Sequence, residues 1–357
     1  MRRERCGRWL VLLAAIAPVV AAAAPLGAQQ KAAGPELAEA PAIPAVRAPY
    51  AEGLDRSYVF VTAPGDKVHT WYEATLAPSY VMFDNLQRTL DVGDGEGRRH
   101  AMRFALTMNI NVRQTTENSA PVRTPSYNPK ALVTWTQGVR TGQFMRTLSA
   151  TATFGHYSNG QDGCLYDGQV DTDCHWPGAV PARPAVNRRD GSFSSHYLQV
   201  DGAWRRMSVS GDIALTEPRL QVVRQDIVRL TTRAYSPLSG VGGGMVGELS
   251  QAYGPTRVRL TVERDQFLPT RRWWRGHGHQ RLLAWSEYIA GGSALRVPRW
   301  RGAAEWGVTD YTRAGAGPFV RLYYGQDDYN LGFTHNLGLV LHLGLSFDPE
   351  RLPTIRM

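Results

Sequence analysis

The residues best placed to do chemistry are His156 and Ser158, in the stretch Phe154-Gly155-His156-Tyr157-Ser158-Asn159-Gly160 near the middle of the chain. In the run leading into it, Leu148, Ala150, Ala152 and Phe154 share one parity while Thr147, Ser149, Thr151 and Thr153 share the other. That is the period-two signature of a strand with one apolar face. His156 and Ser158 continue the apolar parity, so a base and a nucleophile leave the same side of the strand with Cα atoms roughly 6.5 Å apart. A serine hydroxyl is a weak nucleophile until a neighbouring base takes its proton, and a histidine on the same face can do so. If the apolar face meets lipid, this is ester hydrolysis placed where an acyl chain arrives.

The elements that carry the pair must therefore be strands, and the rest of the chain agrees. From Arg56 onward short alternating runs are separated by Gly, Pro, Asn and Asp clusters, the rhythm of an all-β protein. Phe104, Leu106, Met108, Ile110 and Val112 oppose Arg103, Thr107, Asn109, Asn111 and Arg113; Val258, Leu260 and Val262 oppose Arg257, Arg259, Thr261 and Glu263; Leu337, Leu339, Leu341, Leu343, Leu345 and Phe347 oppose Asn336, Gly338, His342, Gly344 and Ser346. A soluble sandwich also alternates, but with strands of about 5–6 residues, whereas membrane strands need about 9–11. The long runs here fit a transmembrane antiparallel β-barrel over 56–347, with about 12 strands if each strand and its connection take some 24 residues. Aromatic clusters at Trp71-Tyr72, Trp273-Trp274, Trp285, Trp300, Tyr311 and Tyr323-Tyr324 are read as interface girdles.

Composition is consistent with this and excludes the helical alternative. Hydrophobic residues make up 43% and mean hydropathy is −0.32, and after residue 30 no apolar run is long enough for a membrane-spanning helix. Residues 1–28 read as a signal peptide: Arg2, Arg3, Arg5 and Arg8 precede an apolar core from Leu10 to Ala24, and Leu26-Gly27-Ala28 offers a cleavage site. Residues 29–55, rich in Ala and Pro, read as a disordered linker; residues 348–357 form a C-terminal tail. The formal charge of +9 falls to about +6 when the leader is removed, which points to a charged lumen or anionic lipid head groups rather than to nucleic acid. With Cys6 in the leader, Cys164 and Cys174 are an even pair in an oxidising compartment, and a disulfide closing so short a loop contributes about 2–3 kcal/mol.

The chain resembles the outer-membrane phospholipase A family. His156-Tyr157-Ser158-Asn159-Gly160 matches that family's H-x-S-N-G catalytic strand, Arg123-Thr124-Pro125-Ser126-Tyr127-Asn128-Pro129 is similar to its R-x-x-x-Y-x-P segment, and Tyr324-Gly325-Gln326-Asp327-Asp328-Tyr329-Asn330 to its penultimate turn. The resemblance implies a twelve-stranded outer-membrane barrel of a Gram-negative bacterium that hydrolyses phospholipid acyl esters, active as a calcium-bound homodimer. It makes His156 the general base, Ser158 the nucleophile and the backbone amide of Gly160 part of the oxyanion hole. The family orients its histidine with an asparagine three positions before a tyrosine on the following strand; here Tyr197 puts Ser194 at that position, on the parity of Leu198 and Val200. A hydroxyl accepts the imidazole Nδ1 proton but orients the ring less firmly than an amide. Ser195 falls on the other face, and Asn187 would need a local shift. Calcium (Ca2+) ligands by the same resemblance are Ser119 and Asp190, with Asp162 a second loop acid; a carboxylate suits a hard cation.

Two other readings stand beside a phospholipase. A lipid A deacylase can carry an H-x-S-N motif on a membrane strand, and an impaired barrel with a structural or binding role would follow if Ser194 fails as the third residue. A porin fits less well, because the lumen-facing parities carry Arg and Glu together, which fills the interior.

Overall fold

The computed structural model describes residues 54–63, 71–85, 98–115, 122–141, 144–164, 166–170, 174–179, 181, 187, 191–212, 219–235, 254–268, 278–291, 299–310, 315–327, 336–348 and 355–356. The expected leader lies outside these residues, as does the expected linker up to residue 53.

Strands follow one another along the chain: β1 (Ser57–Ala63), β2 (Trp71–Leu76), β3 (Ser79–Asp84), β4 (Arg98–Gln114), β5 (Val122–Thr141), β6 (Phe144–Ser158), β7 (Ser194–Asp212), β8 (Arg219–Tyr235), β9 (Thr256–Leu268), β10 (Gly278–Ala290), β11 (Trp300–Asp310), β12 (Ala316–Gln326), β13 (Asn336–Phe347) and a short β14 (Ile355–Arg356). Each wall strand pairs antiparallel with its neighbours, and the β1–β13 and β4–β5 pairings close the sheet on itself. Both β2 and β3 pair with β4 and form one wall strand interrupted at Ala77-Pro78. Pro78 has no N–H to give a ladder; its carbonyl instead accepts from the Met108 N–H at 3.1 Å and the Thr107 hydroxyl at 3.2 Å. Counting β2 and β3 as one, the wall is a closed antiparallel barrel of 12 strands. Closure pairs the first wall strand with the last, which removes the open edges of a flat sheet, the condition under which a sheet can cross a bilayer.

The alternation read in the sequence is the division between lipid and lumen. Phe154 and Leu198 are each 57% exposed and Leu260 is 49% exposed, while Arg257 and Arg205 are 2% exposed. A face this apolar turned outward, with arginines turned inward, is the inverse of a soluble protein and marks an outer-membrane-type barrel. The girdle assignment needs correction: Trp285 and Tyr323 point inward, their rings 5.9 Å apart, with the Arg259 guanidinium 4.3 Å from the Trp285 ring. Trp204 and Trp306 are outward instead, and Trp273, Trp274 and Tyr311 lie outside the described residues.

Charged networks fill the interior. Glu287 accepts from Arg301 (2.5 Å), Arg259 (2.7 Å) and Arg257 (3.3 Å); Arg113 bridges Glu73 and Asp327; Glu305 holds Arg281 and Arg321. Removed from water, such charges persist because each meets an opposite charge, and Glu287 and Glu305 each meet more than one guanidinium. Asp55, near the end of the expected linker, enters this interior and holds Lys130 and the Asn109 amide. A cavity of about 410 Å³ remains among these groups.

Candidate active site on the outer wall

The chain direction places the site. Strands β5 and β6 are separated by two residues and β7 and β8 by six, whereas the connection from β6 to β7 runs from residue 159 to 193. Short turns face the periplasm and long loops the exterior in such barrels, so Ser158 ends its strand at the outer rim. Ten residues separate Arg146 from His156 on the same outward parity. At about 3.3 Å per residue and a tilt of about 40°, they are ~25 Å apart along the barrel axis, the height of the apolar band. His156 and Ser158 therefore lie at the outer edge of the hydrocarbon, the depth of a phospholipid's ester linkages.

Cross-strand register decides what faces them. Ser158 lies opposite Tyr127 of β5 and opposite Ser194 of β7, and His156 lies opposite His196. The two imidazoles meet Nδ1 to Nδ1 at 3.3 Å, with ring centroids 4.7 Å apart, and His196 also stacks on Phe154 at 5.7 Å. Ser194, expected from the resemblance to orient His156, lies opposite Ser158 in register, and the imidazole at hydrogen-bond distance from His156 Nδ1 is that of His196. Ser195 is fully buried on the lumen side, as its parity requires.

A bond between two Nδ1 atoms exists when one ring donates and the other accepts. If His156 is the donor, its Nε2 keeps a lone pair, the state a general base needs. His196 then supplies an aromatic, ring-locked acceptor where a rotatable serine was expected.

Beneath the pair, the lumen side of the same strands is built to close tightly. Gly155 lies opposite Tyr197, and a Cβ on Gly155 would come within 2.2 Å of the Tyr197 ring carbon Cζ. The tyrosine ring occupies the space a side chain would take, and its hydroxyl donates to Asn128 Oδ1 at 2.8 Å. Asn159 turns inward, 1% exposed. Its Nδ2 donates to the Gly191 carbonyl at 2.7 Å and its Oδ1 accepts from the Phe193 N–H at 3.1 Å. One side chain thus joins the end of β6 to the start of β7. Gly160 follows with φ of +66°, in the left-handed region where glycine is unstrained.

The connection beyond it is cross-linked by the Cys164–Cys174 disulfide. Val170 within the ring and His175 just past it exchange backbone hydrogen bonds, and Asn187 Nδ2 donates to the Cys164 carbonyl at 3.0 Å. Of the expected calcium ligands, Asp162 is exposed at the start of this loop, and Ser119 and Asp190 lie outside the described residues. Among the described residues no three acidic, histidine or cysteine side chains gather to hold a metal.

No protein-family model matches the chain, and no curated protein matches its sequence. Among solved structures it is similar to outer membrane phospholipase A from Escherichia coli (12% identity, 82% of this chain and 92% of that one, TM-score 0.43). It is also similar to the calcium-bound dimer of the Salmonella typhi outer membrane phospholipase (12% identity, 82% and 90%, TM-score 0.44) and to the beta domain of the Bordetella autotransporter BrkA (13% identity, 82% and 97%, TM-score 0.31). These likenesses, to two phospholipases and an autotransporter beta domain, are all at 13% identity or less.

Proposed function

We propose that the barrel is a serine esterase of the outer membrane that hydrolyses phospholipid acyl esters from its lipid-facing wall. The observation that carries this reading is that His156 and Ser158 interrupt an apolar wall at ester depth, with His156 engaged at Nδ1 by His196. Polar groups on a lipid face are costly and call for a use.

In this reading His156 Nε2 takes the proton of Ser158 Oγ as that oxygen bonds to the ester carbonyl carbon. The carbonyl π pair moves onto oxygen, where the Gly160 amide donates to it. Collapse breaks the bond to the glycerol oxygen, which receives the proton from His156 and leaves as a lysophospholipid. Water, deprotonated by His156, then releases the fatty acid and restores Ser158. His196 accepts from His156 Nδ1–H throughout, fixing ring and tautomer.

Purified protein is expected to release fatty acid from phospholipid mixed micelles, and Ser158→Ala to lower the rate by at least ~10³-fold. Undiminished release by that variant sinks the assignment. A lipid A deacylase is separated by mass spectrometry of the products, and a sulfonyl fluoride that labels Ser158 argues against an impaired barrel. Calcium and homodimerisation enter as part of the family resemblance; no step above passes through a metal, and a chelator titration with crosslinking tests both.

A further inference from the structure

The periplasmic end of the same wall carries a second polar feature. Arg146, Arg206, Asp226 and Arg264 lie directly opposite one another across β6, β7, β8 and β9, forming one row on the outward parity. Arg224, two residues before Asp226, joins it from the row below. Asp226 takes Arg264 at 2.7 Å and Arg224 at 3.0 Å. That leaves Arg146 and Arg206 facing each other as like charges, with no carboxylate partner for either among the described residues. Like charges directly opposite on a sheet are unfavourable, and here they recur at the depth where the hydrocarbon ends. The Arg206 guanidinium lies 4.8 Å from the Phe144 ring, on the turn side of the row, which holds it against the wall rather than free in water.

We propose that this row is a docking site for the head group of an anionic phospholipid in the periplasmic leaflet. A phosphodiester carrying a net negative charge bridges Arg146 and Arg206 and relieves their repulsion, while its acyl chains lie along Leu148, Ala150 and Ala152. Charge selects the occupant: a zwitterionic head group brings its own cation to a row already in surplus, whereas a phosphatidylglycerol-type head group does not. The proposal is independent of whether Ser158 is a nucleophile.

The test uses the Ser158→Ala protein, so that no lipid is consumed, in vesicles of phosphatidylcholine doped with phosphatidylglycerol, with retained lipid read by native mass spectrometry. Phosphatidylglycerol is expected to be retained at least about tenfold over its share of the vesicle. The Arg146→Gln/Arg206→Gln double variant is expected to lose that preference, the Arg146→Lys/Arg206→Lys variant to keep most of it, and Asp226→Asn to raise it. Should the glutamine variant fail to insert, raised salt on the parent protein must erase the preference. Equal retention of both lipids by the parent protein, or a preference indifferent to both salt and Arg146/Arg206, overturns the assignment.

Discussion

At the scale of single residues, the wall distinguishes two serines and two histidines that sequence alone sets side by side. Ser194 and His196 share a parity and both lie on β7, so either answers the need for a third residue; register assigns His196 to His156 and Ser194 to Ser158. Expected outcomes follow for turnover on phospholipid micelles. His196→Ala lowers kcat by about 10- to 100-fold, since it removes the group that orients the base, while His196→Asn, which keeps an acceptor, recovers part of the loss. Ser194→Ala stays within about threefold of the parent. A large loss at Ser194 with none at His196 would return the role to the serine. The pH response has a defined sign as well: His156 must be unprotonated to accept from Ser158, so kcat/KM falls as the medium becomes acidic enough to protonate an imidazole. His196 was within reach of the sequence. It continues the outward parity of Leu198 and Val200 as His156 continues that of Ala152 and Phe154, but the family's spacing from Tyr197 points to Ser194.

Among the elements, β6 and β7 form the mount, and their facing residues explain why the pair stays in register. Tyr197 lies over Gly155 on the lumen side while His156 and His196 meet on the other. Gly155→Val forces a methyl group into the tyrosine ring and is expected to shift the strands and lower both thermal stability and activity. Tyr197→Phe removes only the bond to Asn128, about 1 kcal/mol. Asn159→Ala strands the buried Phe193 N–H and the Gly191 carbonyl that it now satisfies. The expected cost is about 1–3 kcal/mol in urea unfolding from vesicles, with no change in the sulfonyl fluoride reactivity per folded molecule if its role is structural. Period-two alternation made these strands legible, because which face is apolar is written residue by residue. The pairing of residues across strands was not, because register depends on how turns and a 35-residue connection are threaded, and no local pattern encodes that offset.

For the whole molecule, the sequence revealed the barrel through its inverted polarity, yet misplaced the aromatics. The sequence pattern puts Trp285 and Tyr323 in a girdle; inside the lumen the two rings meet edge to face, and the Arg259 guanidinium lies over Trp285. Near a run's end a tryptophan can face either way, and only its parity relative to the neighbouring arginines tells which. That parity has consequences that one pair of adjacent residues can test. Leu260 and Thr261 are neighbours on β9; Leu260 is 49% exposed to the outside, whereas Thr261 lines the interior cavity beside Arg259. Leu260 is in the row of Leu230, Gly202 and Ala150, four residues above Arg146 and six below His156, and so lies near mid-membrane. Leu260→Lys puts an ammonium at that depth and is expected to cost about 2–4 kcal/mol in urea unfolding from vesicles. Thr261→Glu puts a carboxylate in a basic, hydrated lumen, where Arg259 can pair with it, and is expected to stay within about 1 kcal/mol of the parent. A soluble sandwich would reverse the order, because its exposed leucine accepts a lysine freely and its buried threonine does not accept a glutamate. Equal cost at the two positions would contradict a wall with lipid on one side and a polar lumen on the other.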